Sequence, residues 1–229
     1  MSHSLQSGPT CVPSCRRCIF FLIIFRLYDS DILQAVYKCG ASLISPNFVL
    51  TAAHCFNSSL VNTETSVRCG EWDTVVDTEL YPHQELIVKK IIIHPDFDTA
   101  RGARGNLRND IALIQTSQAF SLAPHIDTIC LPRPEENFDG SLCAATGWGK
   151  DRFGWTVGGF LDLFNFGNFI GDVGNLQIIL KEVWMNVIEQ NSCQEKLRKT
   201  KLGQFFVLDK SFICAGGEVD IDMCTVKRS

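Results

Sequence analysis

The 229 residues carry no excess of positive charge: 21 Lys and Arg stand against 25 Asp and Glu, for a formal net charge of −4. No segment forms a basic stripe, which argues against a nucleic-acid partner. Long apolar runs are missing too. The run near the start, Cys18 to Phe25, holds eight residues and is too short to span a bilayer. Arg26 follows it at once and no small-residue cleavage site is evident, so it is not a clean export signal. The expectation is a buried strand, or a chain start that does not belong to the mature protein. No internal repeat is apparent. The chain also lacks the charge excess of a disordered protein. It is 45% hydrophobic and 20% charged, and its length suits one domain, or one two-lobed domain, with a sizeable core.

What is present is cysteine. Eleven are spread along the chain. They do not form the paired C-x-x-C knuckles of a metal module, so they favour disulfides and an oxidising compartment. An odd count leaves at least one thiol without a partner in the chain. Asn57-Ser58-Ser59 is a glycosylation sequon, in keeping with a secreted, extracellular protein.

Residues 1–36 carry no assignable pattern and form an unassigned N-terminal segment. From Tyr37 on, short apolar runs follow one another. Ala41 to Ser45 and Phe48 to Leu50 are split by the turn signal Pro46-Asn47, which predicts a hairpin. Val67 to Cys69, Glu85 to His94, Asp110 to Gln115 and Cys143 to Thr146 are further strand candidates. Many short strands and few helical periods argue for an all-β sandwich or barrel. One helix is expected over Asn191 to Arg198, from a capping residue followed by good helix formers. Residues 155–172 break the composition, being rich in Phe and Gly and devoid of basic residues. An inserted contact loop, a membrane-touching loop and sequence foreign to the working protein, such as a gene-prediction artefact, all remain open.

His54 draws attention because it follows two alanines and precedes a cysteine. Alone, it reads as a core histidine. A metal reading needs a second ligand at short spacing, and adjacent His54 and Cys55 do not easily share one ion, so no metal is expected. A catalytic reading needs a carboxylate to orient the imidazole and a nucleophile for it to deprotonate. Asp110 can supply the carboxylate, since an Asp opening the apolar strand Ile111-Ala112-Leu113-Ile114 is costly to desolvate without a partner.

Other signatures fall in order around these two. Cys39-Gly40-Ala41-Ser42-Leu43-Ile44 precedes Thr51-Ala52-Ala53-His54-Cys55. Ile93-His94-Pro95 and Ile129-Cys130-Leu131-Pro132 flank Asn109-Asp110-Ile111-Ala112-Leu113, and Ala145-Thr146-Gly147-Trp148-Gly149 follows. The series resembles the chymotrypsin/trypsin family of serine proteases over roughly Tyr37 to Cys224. More narrowly, Cys69-Gly70-Glu71-Trp72-Asp73-Thr74, Gly149-Lys150-Asp151-Arg152-Phe153 and Ser211-Phe212-Ile213-Cys214-Ala215-Gly216-Gly217 resemble arthropod clip-domain proteases and their non-catalytic homologues, among them the phenoloxidase-activating factors of innate immunity.

The resemblance implies a peptidase domain over 37–229 with two antiparallel six-stranded β-barrels and the active site between them. It implies His54 as general base, Asp110 as its orienting carboxylate, and Asp222 as the acidic floor of a pocket for Arg or Lys, although Asp222 reads equally as a solvated tail residue. It further implies disulfides Cys39–Cys55 and Cys193–Cys214, no cofactor, and as partner a protein substrate or a protease or zymogen of a cascade. The pattern then breaks. Where the family continues into Gly-Asp-Ser-Gly-Gly, this chain reads Cys224-Thr225-Val226-Lys227-Arg228-Ser229. Arg228 stands at the nucleophile's position, Ser229 is out of register, and the glycines that aim N–H donors at an oxyanion are missing. The expectation is a truncated family member with an incomplete second barrel, catalytically inert as written.

Overall fold

The computed structural model describes residues 22–29, 34–56, 65–76, 78–98, 107–149 and 177–216, and the short strands 221–222 and 225–226. Up to residue 38, and for those two last strands, only the backbone is described.

Six strands close into an antiparallel barrel. They are β1 (Leu22–Asp29), β2 (Gln34–Ser45), β3 (Phe48–Thr51), β4 (Thr65–Cys69), β5 (Gln84–Ile93) and β6 (Ala112–Thr116), in the order β1-β2-β3-β6-β5-β4. Closure removes the exposed sheet edges that would otherwise invite pairing. The predicted hairpin is present: Ser45 faces Phe48 across Pro46 and Asn47. Register shifts at Phe25/Arg26, between Leu43 and Ser45, and between Val88 and Lys90 bend the strands as closure requires. Inward positions follow the two-residue period. On β6, Ala112, Ile114 and Thr116 are buried while Leu113 and Gln115 are half-buried. Leu43, Val49, Val67 and Ile114 are completely buried and pack with Ala41, Cys69, Phe120 and Ile126 into one core.

The barrel begins earlier than residue 37. Strand β1 lies within the segment the sequence left unassigned, and it pairs with both β2 and β4. Residues 22–25 of the apolar stretch are strand, so a boundary at 36/37 would cut through β2 and remove a barrel member.

The second barrel is represented by a three-stranded antiparallel sheet. It consists of β7 (Leu142–Gly147), β8 (Lys181–Ile188) and β9 (Cys214–Ala215), with β8 in the centre. Helix α1 (Gln190–Arg198) follows β8 directly. Its cap is Glu189 rather than Asn191: the Glu189 carboxylate accepts the Asn191 and Ser192 amides at 3.0 and 2.9 Å. Those amides hold its carboxyl below the ordinary value. Strands β10 (Ile221–Asp222) and β11 (Thr225–Val226) form a separate short ribbon. The expected all-β, two-barrel architecture with an incomplete second barrel is the one found. The insertion at 155–172 lies outside the described residues.

One seam between the halves runs through Trp72 and Trp148. The Trp148 indole is buried and donates to Trp72 O at 3.3 Å. The Thr74 amide donates to Ile178 O at 3.1 Å, and the Leu180 amide to Trp72 O at 3.0 Å. The loop leaving β4 therefore serves as a strand-like partner for the approach to β8.

Candidate active site

His54 sits at the centre of a single 3₁₀ turn, Ala53–Cys55, that ends the β3 segment. Its neighbours anchor the turn from both sides. Ala53 is buried with Phe97 and Ala112. Cys55 is buried and joined to Cys39 on β2, across a sequence separation of 16. With both flanks fixed inward, the His54 side chain points outward and is 47% exposed.

Asp110 comes from the other side of the barrel's mouth, just before β6. Asn109 precedes it with a φ of 55°, a left-handed conformation that asparagine tolerates better than most residues. This turn delivers the Asp110 carboxylate to the histidine twice. The His54 amide donates to Asp110 Oδ1 at 2.7 Å, and the His54 imidazole Nδ1 lies 2.6 Å from Asp110 Oδ2. A carboxylate can only accept, so Nδ1 carries the proton and Nε2 presents its lone pair outward. The Asp110 side chain is only 15% exposed, so its charge acts on the imidazole with little screening. Residues 56 positions apart thus make an oriented base.

The sequence did not point to the strut behind this turn. Arg108 Nη2 pairs with Asp209 Oδ2 at 2.5 Å, and the Asn109 amide donates to Ser211 Oγ at 3.3 Å. The Ser211 amide in turn caps Asp209 at 3.0 Å. That amide, the Ser211 hydroxyl and Arg108 together hold the Asp209 carboxyl below its ordinary value. No local sequence pattern announces a contact between segments a hundred residues apart. The only hint is that Ser211 opens one of the quoted family stretches.

Cys193 on α1 is bonded to Cys214 on β9. Cys130 is also in a disulfide. Cys69 is a buried free thiol at the end of β4, and burial pushes it up to about 12. Among the described residues, one trio of Cys, His and acidic side chains lies within metal-ligating reach: Cys39, His54 and Cys55. Its two sulfurs are spent on a disulfide, so it does not suit a thiolate metal centre. Asp222 lies on β10 by its backbone, and its side chain is outside the described residues. Arg228 and Ser229 also lie outside them. No helix among the described residues is long and apolar enough to cross a membrane.

What the arrangement can do is accept a proton at His54 Nε2 and hold the resulting imidazolium against Asp110. Acyl transfer needs two more components, a nucleophile on Nε2 and N–H donors for the oxyanion. Neither occurs among the described residues.

The family model described as Trypsin matches residues 25–161. "Phenoloxidase-activating factor 2" of Galleria mellonella is 43% identical over 190 residues, covering 82% of this chain and 54% of that protein. "Inactive CLIP domain-containing serine protease A8" of Anopheles gambiae is 39% identical over 204 residues, covering 88% and 48%. "Inactive CLIP domain-containing serine protease A28" of the same species is 34% identical over 201 residues, covering 88% and 46%. The chain spans about half the length of these curated relatives.

Proposed function

The chain belongs to the trypsin family, and on that premise we propose that its 229 residues make a secreted protease homologue that binds protein chains without hydrolysing them. The observation that carries this reading is an oriented His54–Asp110 pair, in a chain that has Arg228 where the family resemblance expects the nucleophile. In a working enzyme of this kind, Nε2 takes a hydroxyl proton as the oxygen attacks the scissile carbonyl, and Asp110 stabilises the imidazolium. An arginine at that position has no hydroxyl to give up. Cys224 is followed by Thr225-Val226-Lys227-Arg228, without the glycine that would help supply the oxyanion donors. Asp222 would supply a negative floor for an Arg or Lys side chain, serving recognition rather than cleavage. The disulfides favour an extracellular setting.

A cofactor role in an innate-immune protease cascade, with a protease or zymogen as partner, is supported by the names of the relatives. One is a phenoloxidase-activating factor and two are called inactive. The test is direct. The purified chain, before and after treatment with trypsin, is exposed to a fluorophosphonate probe and to an arginine-based chromogenic peptide. No labelling and no turnover are expected. Stoichiometric labelling of the chain by the probe would overturn the reading.

A further inference from the structure

A cavity of about 370 Å³ lies at the end of β4, lined by Gly70, Trp72, Glu79, Leu80, Tyr81 and His125. It shares no residue with the His54–Asp110 pair. We propose that this cavity is a recognition site for one basic side chain, an arginine or lysine presented by a protein partner.

The lining is chemically lopsided. Its apolar share is unusually exposed for a soluble protein: Leu80 is 86% accessible and Trp72 57%. Three of the six residues are aromatic rings, and Tyr81 stacks on His125 with centroids 5.1 Å apart. Beside the Trp72 indole N–H and the Tyr81 hydroxyl, the lining offers two acceptor groups. Glu79 spends Oε1 on the Asp73 amide, and its carboxylate meets no cation among the described residues. His125 Nε2 lies 3.0 Å from Pro82 O, which only accepts, so Nε2 carries the proton and Nδ1 is a lone pair. That Nδ1 is buried and meets no hydrogen-bond partner among the described residues. Aromatic faces beside an unneutralised carboxylate are what a guanidinium or ammonium requires: the rings supply the cation–π attraction and Glu79 the counter-charge.

The cavity is built into the frame. Gly70 has a φ of 79°, and a Cβ there would lie 2.6 Å from His125 Cδ2. The ring therefore occupies the space a side chain at 70 would need. Trp72 and Glu79 are tied to the same loop by the Glu71 carboxylate, which accepts the Trp72 amide, and by the Asp73 amide bonded to Glu79. A polypeptide is the fitting source of the cation. Val75, Val76 and Ile178 extend the exposed apolar surface along this loop, more than a free amino acid would cover.

The test uses the full chain and two peptides, Ac-Gly-Arg-Gly-NH2 and its neutral isostere Ac-Gly-citrulline-Gly-NH2. The readout is the Trp72 indole N–H resonance, assigned through its loss in Trp72→Phe. The arginine peptide should shift it saturably, and the citrulline peptide should bind about tenfold more weakly. Glu79→Gln keeps the acceptor for the Asp73 amide and should bring the two peptides level. Asp222→Asn should leave the Trp72 titration unchanged, which separates this cavity from the pocket proposed for Asp222. Equal affinities in the unsubstituted chain, no saturable shift, or loss of the shift in Asp222→Asn would each overturn the proposal.

Discussion

Replacing Arg68 with methionine should destabilise the first barrel out of proportion to the surface it exposes. The guanidinium bridges two carboxylates: Nη1 is 2.8 Å from Glu71 Oε2, and Nη2 is 2.8 Å from Glu85 Oε2. Burial alone would lower the Arg68 pKa, but its bonds to Glu71 and Glu85 outweigh this and raise it. The two acids differ in what they lose. Glu85 is 30% exposed and can turn to solvent, whereas the Glu71 side chain is 1% exposed and cannot. After the substitution Glu71 keeps only the Trp72 amide and His83 Nδ1 at 3.4 Å, and an imidazole is a counter-charge only when protonated. Stranding a buried charge costs about 3–5 kcal/mol, and the two residual contacts place the loss near the lower end, about 3 kcal/mol. A double variant, Arg68→Met with Glu71→Leu, removes both charges and should return to within about 1 kcal/mol of the unsubstituted chain. The assay is urea unfolding followed by circular dichroism with the disulfides intact, at neutral pH and again in acid, where the single variant should lose less. A single-variant loss below about 1 kcal/mol, or a double variant no better than the single, would refute the reasoning.

Two further outcomes follow from the other perturbed groups. The Cys69 thiol, held at about 12 by burial, should resist alkylation at pH 8 in the folded chain and react only as fast as the barrel opens; rapid stoichiometric labelling of Cys69 without denaturant would count against its burial. The Glu189 cap, whose folded pKa is depressed, should stabilise α1 above the ordinary carboxylate range and lose that contribution as pH falls through the folded value. Protection factors at Cys193 and Gln194, corrected for the intrinsic pH dependence of exchange, should fall with acid more in the natural chain than in Glu189→Gln, and equal acid sensitivity would contradict the cap.

Strands that announce themselves locally were legible in the sequence. The hairpin β2-β3 is written in Pro46-Asn47, and β6 in the run from Ile111 to Ile114 behind a lone acid. Strand β1 was legible only in part: a buried strand was one reading of Cys18 to Phe25, but its extent to Asp29 and its partners were not. Its sequence, Leu-Ile-Ile-Phe-Arg-Leu-Tyr-Asp, lacks alternation and resembles the core of an export signal, and only its pairing with β2 and β4 fixes its extent. Strand β8 was missed as well, because Met185 and Val187 gain their inward facing from pairing with β7, which no local period signals. Glu189 escaped as a cap because glutamate is a common helix-interior residue, and its role depends on the turn that precedes α1. At the site, His54 and Asp110 could be paired through the resemblance, since the aspartate had no other reason to open an apolar strand. The Arg108–Asp209 contact could not: surface charges carry no address, and the fold alone brings those loops together.

The His54–Asp110 pair is made wholly within the first barrel, from the ends of β3 and β6 and one cross-link to β2. Its contacts form with that barrel, and the second half adds only the brace of Asp209 and Ser211 behind the Asp110 turn. A search that recognises enzymes by the placement of a histidine against an aspartate would score this chain as competent. It would do so equally for any descendant that had given up turnover while keeping the barrel for another use. For such chains the first-barrel pair records ancestry, and only what the second half brings to Nε2 speaks to employment.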